Sequence, residues 1–151
     1  MLRGQISDAL KDAMRAKEAR TVGALRLILA KLKDQDIAAR PRGVTDGIPD
    51  EEILQMLQSM IKQRRESIAL YEQGGRQELA DQERDEIAVI ERFLPRQMDE
   101  ADTRAAIGAA IAATGAAGVK DMGKVMAELR ARHAGQMDFG KASALLKGML
   151  G

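Results

Sequence analysis

The sequence predicts an all-α protein, and three observations carry that prediction. Hydrophobic residues make up 45% and charged residues 31% of the 151 positions, which is enough apolar material for a folded core. Apolar side chains recur about every 3.6 residues, and no segment shows the alternation of a β-strand. The three prolines, Pro41, Pro49 and Pro95, lie where these periodic segments stop, which is where helices begin or end.

Four helices are expected in the first part of the chain. The second is the most apolar and should be central, with Thr21 as its N-cap. The third starts with the acidic residues Asp50, Glu51 and Glu52, which suit the positive end of a helix dipole. It stops at Gly74-Gly75, and so short a turn makes the third and fourth helices a long antiparallel hairpin. The predicted ranges are 7–19, 22–39, 50–73 and 77–93.

A change of composition after Pro95 predicts a second domain. Alanine fills nine of the nineteen positions from 101 to 119, and charged residues are sparse there. Asp99 and Asp102 have the spacing of a capping box, which marks the start of a new helix. We therefore predict an N-terminal helical domain with the hairpin and a C-terminal three-helix domain, over 1–95 and 96–151. The three C-terminal helices are predicted at 100–114, 121–131 and 139–149.

The residue counts exclude several classes of chemistry. The chain has no cysteine and one histidine, His133, so disulfides, thiolate catalysis, cysteine zinc sites and two-histidine metal sites are excluded. The segment 118–124 approaches a phosphate-binding loop, but Val125 stands where that loop requires Ser or Thr. We therefore expect no metal, no cofactor and no catalytic residue within this chain.

Charge and hydropathy limit the partners and the location. A net charge of +1 argues against a uniformly basic nucleic-acid binder, and three aromatic residues are too few for base stacking. The longest uncharged run, 105–119, is shorter than the roughly 20 residues that a membrane span needs. Charges near the N-terminus also interrupt any signal-peptide apolar region. We expect a cytoplasmic protein that does not associate with a membrane.

One arginine falls on the apolar face of the third helix. At about 100° per residue, Arg64 lies in the middle of that face, and Glu83 and Glu86 lie within the apolar face of the fourth helix. Residue numbers that face each other across the Gly74-Gly75 turn add to about 150, and Arg64 with Glu86 meets this condition. A charge facing a core must be paired. We predict a structural ion pair of Arg64 with Glu86, or with Glu83 if the register slips; a functional arginine is the alternative.

Four lysines in the C-terminal part are the candidate nucleic-acid contacts. Lys120 and Lys124 are four residues apart and lie on the side of their helix away from its apolar residues. Lys141 and Lys147 fall in the last helix. Because aromatic side chains are scarce, these lysines would contact phosphates and not stacked bases. A solvated face with no binding role is the alternative.

Several segments together resemble the YqeY family. They are KQRRESIALYEQGGRQELA at 62–80, ERFLPRQM at 91–98, DMGKVM at 121–126, and Gly140-Lys141. The C-terminal part is also similar to the tail domain of the GatB subunit of the glutamine-dependent aminoacyl-tRNA amidotransferase. The resemblance covers essentially the whole chain. In that amidotransferase the tail is a helical appendage that helps to hold the tRNA, and the chemistry belongs to domains that this chain lacks.

We consider three functions, in order of preference, and the resemblance implies the first. The first is a non-catalytic helical protein that binds tRNA or associates with the amidotransferase or other aminoacyl-tRNA machinery. The second is a protein–protein interaction module, in which the N-terminal bundle docks a partner and RNA has no role. The third is a carbon–nitrogen ligase with glutamine as amido donor, which rests on the family resemblance alone because no residue of this chain supports that chemistry by itself.

Overall fold

A computed structural model describes residues 1–151, and the protein is all-helical, as the sequence predicts. Two short 3-10 turns, Arg40–Arg42 and Val119–Asp121, accompany seven α-helices, and there is no β-strand. The α-helices are α1 (Leu2–Arg15), α2 (Ala19–Ala39), α3 (Asp50–Gln73), α4 (Gln77–Glu91), α5 (Glu100–Thr114), α6 (Met122–Arg132) and α7 (Phe139–Leu150).

The chain divides into two compact units, Met1–Leu94 and Pro95–Gly151. The first contains α1 to α4 around a core in which Ile6, Leu25 and Ile53 are completely buried. The second contains α5 to α7, and its core is separate. The fully buried side chains of this second core are Ile107, Val125, Leu129, Ala142 and Leu146.

The turn from α1 to α2 differs from the sequence-based prediction. The prediction of Thr21 as N-cap is wrong, because α2 begins at Ala19 and Glu18 occupies the N-cap position. Lys17 adopts a left-handed conformation with a φ of 58°, and the Glu18 amide donates to the Ala13 carbonyl. This single left-handed residue reverses the chain before Thr21 is reached, so the hydroxyl of Thr21 lies inside the first turn of α2.

An ion pair ties the start of α1 to α2 and to the segment before α3. Arg3 donates from Nη1 and Nη2 to the two carboxylate oxygens of Asp36, at 2.6 and 3.0 Å. Arg3 Nη2 also donates to the Ile48 carbonyl, and the Ile48 amide donates to Asp36 at 2.9 Å. The hydrogen bond from Arg3 lowers the pKa of Asp36. Bidentate pairing of this kind fixes geometry as well as charge.

Helix α3 of the hairpin has its buried apolar side chains in its first half and forms ion pairs with α4 in its second half. Every fully buried residue of α3 lies between Ile53 and Ile61. Beyond Ile61 the two helices are joined by ion pairs, among them Arg84 with Glu72. The turn passes through Gly75, which has a φ of 70° that glycine adopts without strain.

The second unit begins with the helix cap that the sequence predicts. The Asp102 amide donates to the Asp99 side chain at 2.7 Å, and the Asp99 amide donates to the Asp102 side chain at 3.4 Å. Just before this cap, the Met98 amide donates to the Gln136 carbonyl. The cap and this contact fix the entry of the chain into α5.

Candidate nucleic-acid interface

The four candidate lysines lie on three different elements of the second unit. Lys120 belongs to the Val119–Asp121 turn, Lys124 to α6, and Lys141 and Lys147 to α7. All four are exposed, and none forms a salt bridge. Lys141 and Lys147 are six residues apart, so on one helix they point about 120° away from each other. No single face of α7 therefore carries both lysines.

The prediction that Lys120 and Lys124 share one helix face requires a correction. Lys120 lies in a 3-10 turn, and α6 starts only at Met122. The Ala117 amide donates to Asp121 Oδ2 at 2.9 Å, and this bond holds the loop before α6. The spacing of an uninterrupted α-helix does not apply to the pair, because the turn has tighter geometry.

Asp121 is a charged neighbour of both lysines that the sequence reasoning did not consider. The hydrogen bond from the Ala117 amide, together with the charges of Lys124 and Lys120, lowers the pKa of Asp121. Asp121 is therefore ionised at neutral pH and offsets part of the local positive charge. Its position between the lysines in the sequence was the available signal.

The arginines of the second unit are mostly occupied elsewhere. Arg104 pairs with Glu100 at 2.9 Å, and Arg132 pairs with Glu128 at 2.5 Å. The guanidinium of Arg130 lies 5.6 Å from the centre of the Phe139 ring, which is cation–π distance. The lysines are thus the cations of this unit that remain available for an external anion, together with the exposed Arg96.

The N-terminus of α7 adds no further anion site. The side chain of Asp138 accepts from the amides of Gly140 and Lys141, at 2.9 and 3.2 Å. These are the N–H groups that a helix N-terminus would offer to a phosphate. Contact with an anion at this end of α7 therefore depends on the Lys141 side chain alone.

The structure also brings the hairpin residues together. Arg64 Nε donates to Glu86 Oε2 at 3.0 Å and lies 3.7 Å from Glu83 Oε2, and Arg64 Nη1 donates to the Met60 carbonyl. The exposed fractions of the Arg64, Glu86 and Glu83 side chains are 14%, 17% and 22%. Two donor nitrogens of Arg64 are thus used inside the hairpin. This favours the structural role over the functional arginine.

Burial, followed by repulsion from Glu86, raises the pKa of Glu83 despite the nearby Arg64. The neighbouring carboxylates of α4 bind other arginines, with Asp81 paired to Arg84 and Asp85 paired to Arg20. The acidic run of α4 therefore supplies separate ion pairs. Within 1–151, no group of three or more His, Asp or Glu side chains is arranged to hold a metal ion.

The comparisons with known proteins place the chain in a family. A family model described as Yqey-like protein matches residues 3–150. The chain belongs to the YqeY family. The match covers both compact units, so neither unit is an addition to a smaller family domain.

Two fungal relatives share part of the sequence of this YqeY-family chain. It is 30% identical over 91 residues to the altered inheritance of mitochondria protein 41, mitochondrial, of Candida glabrata; the match covers 60% of this chain and 48% of the relative. It is 27% identical over 94 residues to an uncharacterised protein of Schizosaccharomyces pombe, covering 62% of this chain and 72% of the relative. The chain thus spans about half the length of the first relative.

A groove between α2 and α4 is a second surface of the first unit, and the sequence reasoning did not identify it. Its volume is about 640 Å³, and its lining includes Leu27, Val89, Arg20 and Arg92. Leu27 is 47% exposed there. The available signal was the extra width that Leu27 gives to the apolar face of α2. No helix of the chain is long and apolar enough to cross a membrane.

Proposed function

We propose that this YqeY-family protein is a non-catalytic helical module that contacts tRNA through its C-terminal unit and works with tRNA-amidotransferase machinery. The observation that carries the proposal is the set of exposed lysines without salt bridges, in a unit whose arginines are largely engaged. The proposed contact residues are Lys120, Lys124, Lys141 and Lys147. The similarity to the GatB tail, which helps to hold tRNA, supports the same role.

The chemistry of these residues defines how RNA would be recognised. Lysine ammonium groups contact phosphate oxygens, which orients the RNA without reading its bases. Phe139, the one aromatic residue of the second unit, already lies against Arg130. Binding would therefore be weak and strongly dependent on salt. Four phosphate contacts contribute a slope of about −3 to −4 to a plot of log affinity against log salt concentration.

The test is tRNA binding by the full-length chain. We would measure fluorescence anisotropy of labelled tRNA over a salt series, for the wild type and for Lys120→Glu/Lys124→Glu. Lys11→Glu/Lys62→Glu is the matched control, because it makes the same change of net charge at exposed lysines of the first unit that form no salt bridge. We expect the first variant to weaken binding to all tRNAs alike and the control to bind as the wild type does. No binding by the wild type near 50 mM salt would reject the proposal.

The groove between α2 and α4 supports a second candidate function, the docking of a protein partner on the first unit. Leu27 is 47% exposed, and Val89, which is buried, also lines the groove. Capture from a native lysate, with both RNA and proteins identified, separates the two functions. A protein partner that is lost in Leu27→Asp, together with no enrichment of RNA, would favour docking.

The cytoplasmic location expected from the sequence stays a prediction, because one relative is named as a mitochondrial protein.

Carbon–nitrogen ligase activity is the third candidate, and it has the least support. The residues proposed to bind RNA are lysines, and the carboxylate beside Lys120 and Lys124, Asp121, already accepts from the Ala117 amide. His133 follows the end of α6 and forms no ion pair. Amide transfer from glutamine would therefore need catalytic groups from another protein. An assay of the purified chain with glutamine and aminoacyl-tRNA, in which we expect no ammonia release above the buffer control, tests this.

A further inference from the structure

The exposed face of α2 carries a straight row of cations in the first unit. Arg26, Lys33 and Arg40 are spaced by seven residues, so they lie almost in line and about 10.5 Å apart. Arg40 opens the following 3-10 turn but keeps helical backbone angles, with φ −56° and ψ −43°. All three are exposed, and the opposite side of α2 holds buried core residues. The row spans about 21 Å of rigid helix.

No carboxylate forms a salt bridge with these three cations, whereas eight of the eleven arginines of the first unit do form one. The four arginines within the hairpin, Arg64, Arg65, Arg76 and Arg84, form salt bridges, as do Arg3, Arg15, Arg20 and Arg42. Arg92, which follows α4, is the one other arginine of the first unit without a salt bridge. Arg26 has no acidic residue three or four positions away on either side. Arg40 helps to lower the pKa of Asp36, which is itself bound to Arg3, but it forms no salt bridge.

The surroundings of the row favour an extended polyanion over a membrane surface. Gly23 and Ala30 flank Arg26 on the exposed face, and such small side chains leave room for a backbone to approach. A membrane surface would require several bulky apolar residues on this face, but Leu27 and Ile37 are the only large ones, and they lie about 80° apart around the helix. A rigid line of charges is instead suited to a regular series of phosphates.

We propose that the α2 cation row, formed by Arg26, Lys33 and Arg40, is a second contact for the RNA phosphate backbone, located in the first unit. The inference rests on the proposed function, because it assumes that RNA is the ligand of this chain. It extends that function beyond the C-terminal lysines. Asp34, which is also exposed on α2, offsets part of the positive potential of the row.

The experiment compares two charge reversals in the full-length chain. Labelled tRNA is titrated over a salt series with Arg26→Glu/Lys33→Glu, with Lys120→Glu/Lys124→Glu, and with the Lys11→Glu/Lys62→Glu control. We expect Arg26→Glu/Lys33→Glu to weaken binding by about tenfold or more at low salt and to reduce the salt slope by about 2 in magnitude. Arg26→Gln/Lys33→Gln should give the same reduction in slope without introducing repulsion. Circular dichroism and thermal unfolding check that both variants keep the fold.

The outcomes separate this inference from the proposed function. If the wild type binds no tRNA, both are rejected. If only Lys120→Glu/Lys124→Glu weakens binding, the α2 cation row is a solvated face and this inference alone is rejected. If Arg26→Glu/Lys33→Glu weakens binding, the inference stands, even where the C-terminal variant binds normally. Wild-type binding to phosphatidylserine vesicles that is lost in Arg26→Glu/Lys33→Glu, without tRNA binding, would assign the row to an anionic membrane surface and reject the inference.

Discussion

Arg64 lies between two carboxylates of α4, and they are not equivalent. Glu86 accepts its hydrogen bond at 3.0 Å, whereas Glu83 lies 3.7 Å away. Glu86→Ala removes the better acceptor but leaves Glu83 close enough to take over. We therefore expect a loss of about 1–3 kcal/mol in the free energy of unfolding, less than for a buried pair that has no substitute partner. Urea unfolding measures it, and an unchanged midpoint would contradict the structural role of the pair.

The contribution of Glu83 to stability should depend on pH. Burial and the charge of Glu86 raise its pKa in the folded state above the ordinary value of 4.5. A raised pKa means that its contribution to stability is complete below that ordinary value and is lost as pH rises through the folded pKa. We expect Glu83→Gln to gain stability relative to the wild type between pH 4 and pH 7. Unfolding curves at several pH values test this. A difference in the free energy of unfolding between variant and wild type that shrinks with rising pH would contradict it.

Asp36 gives the contrasting sign. The hydrogen bond from Arg3 lowers its folded-state pKa below the ordinary 3.8, so its stabilisation is complete above that value and is lost as pH falls through the folded pKa. Because Arg3 is partly exposed, we expect Asp36→Asn to cost about 1 kcal/mol at neutral pH. The difference from the wild type should shrink below pH 4. Equal stability of the two proteins at pH 7 would mean that the Arg3–Asp36 pair does not stabilise the fold.

Among the secondary-structure elements, α5 has the best-defined start. Asp99 accepts from the Asp102 amide at 2.7 Å and satisfies one of the free N–H groups of the first turn. Asp99→Ala should therefore destabilise the second unit by about 1 kcal/mol, with Asp99→Ser largely retaining the cap. Thermal unfolding monitored by circular dichroism gives the measurement. A serine variant as unstable as the alanine variant would show that the cap contributes through something other than its hydrogen bond.

The helices show what the sequence can predict and what it cannot. Apolar periodicity and the glycine and proline stops place α3 at Asp50–Gln73, because these signals are local. The start of α2 was missed because it depends on Lys17, a non-glycine residue in the left-handed region, which no composition rule marks. The predicted first helix began at residue 7, whereas α1 begins at Leu2, where the distant Asp50 carboxylate accepts from the Leu2 amide.

The candidate site is less predictable than the helices, because it too depends on contacts between residues that are distant in the sequence. The sum rule that pairs Arg64 with Glu86 uses only a hairpin and its turn, and the structure places those two side chains within hydrogen-bond distance. Which cations remain without a salt bridge depends instead on which carboxylates the fold brings to each arginine. The pairing of Arg20 with Asp85 spans 65 positions, so helix periodicity could not reveal it. The α2 cation row is defined by the absence of such pairs, so only the folded structure distinguishes it.

At the scale of the whole molecule, the two units divide between Leu94 and Pro95. Arg96 is exposed beside this division, while Gln97 donates from its side chain to the Gly135 carbonyl of the second unit. A peptide bond outside regular structure at such a position is a preferred site of proteolysis. We expect trypsin to cut first after Arg96, or after Arg42 at the end of the 3-10 turn that follows α2.

The fragments should then have different fates. Cleavage after Arg96 leaves a second unit of 55 residues, whose core is marginal for a domain of that size. We expect both fragments to persist through early digestion, as gel electrophoresis and mass spectrometry would show, with the second unit degraded before the first. First cleavage within α3 between Ile53 and Leu70, where trypsin can cut only after Lys62, Arg64 or Arg65, would contradict the division, because that segment is helical and packs in the hairpin. Cleavage there would require the whole first unit to open before the two units separate.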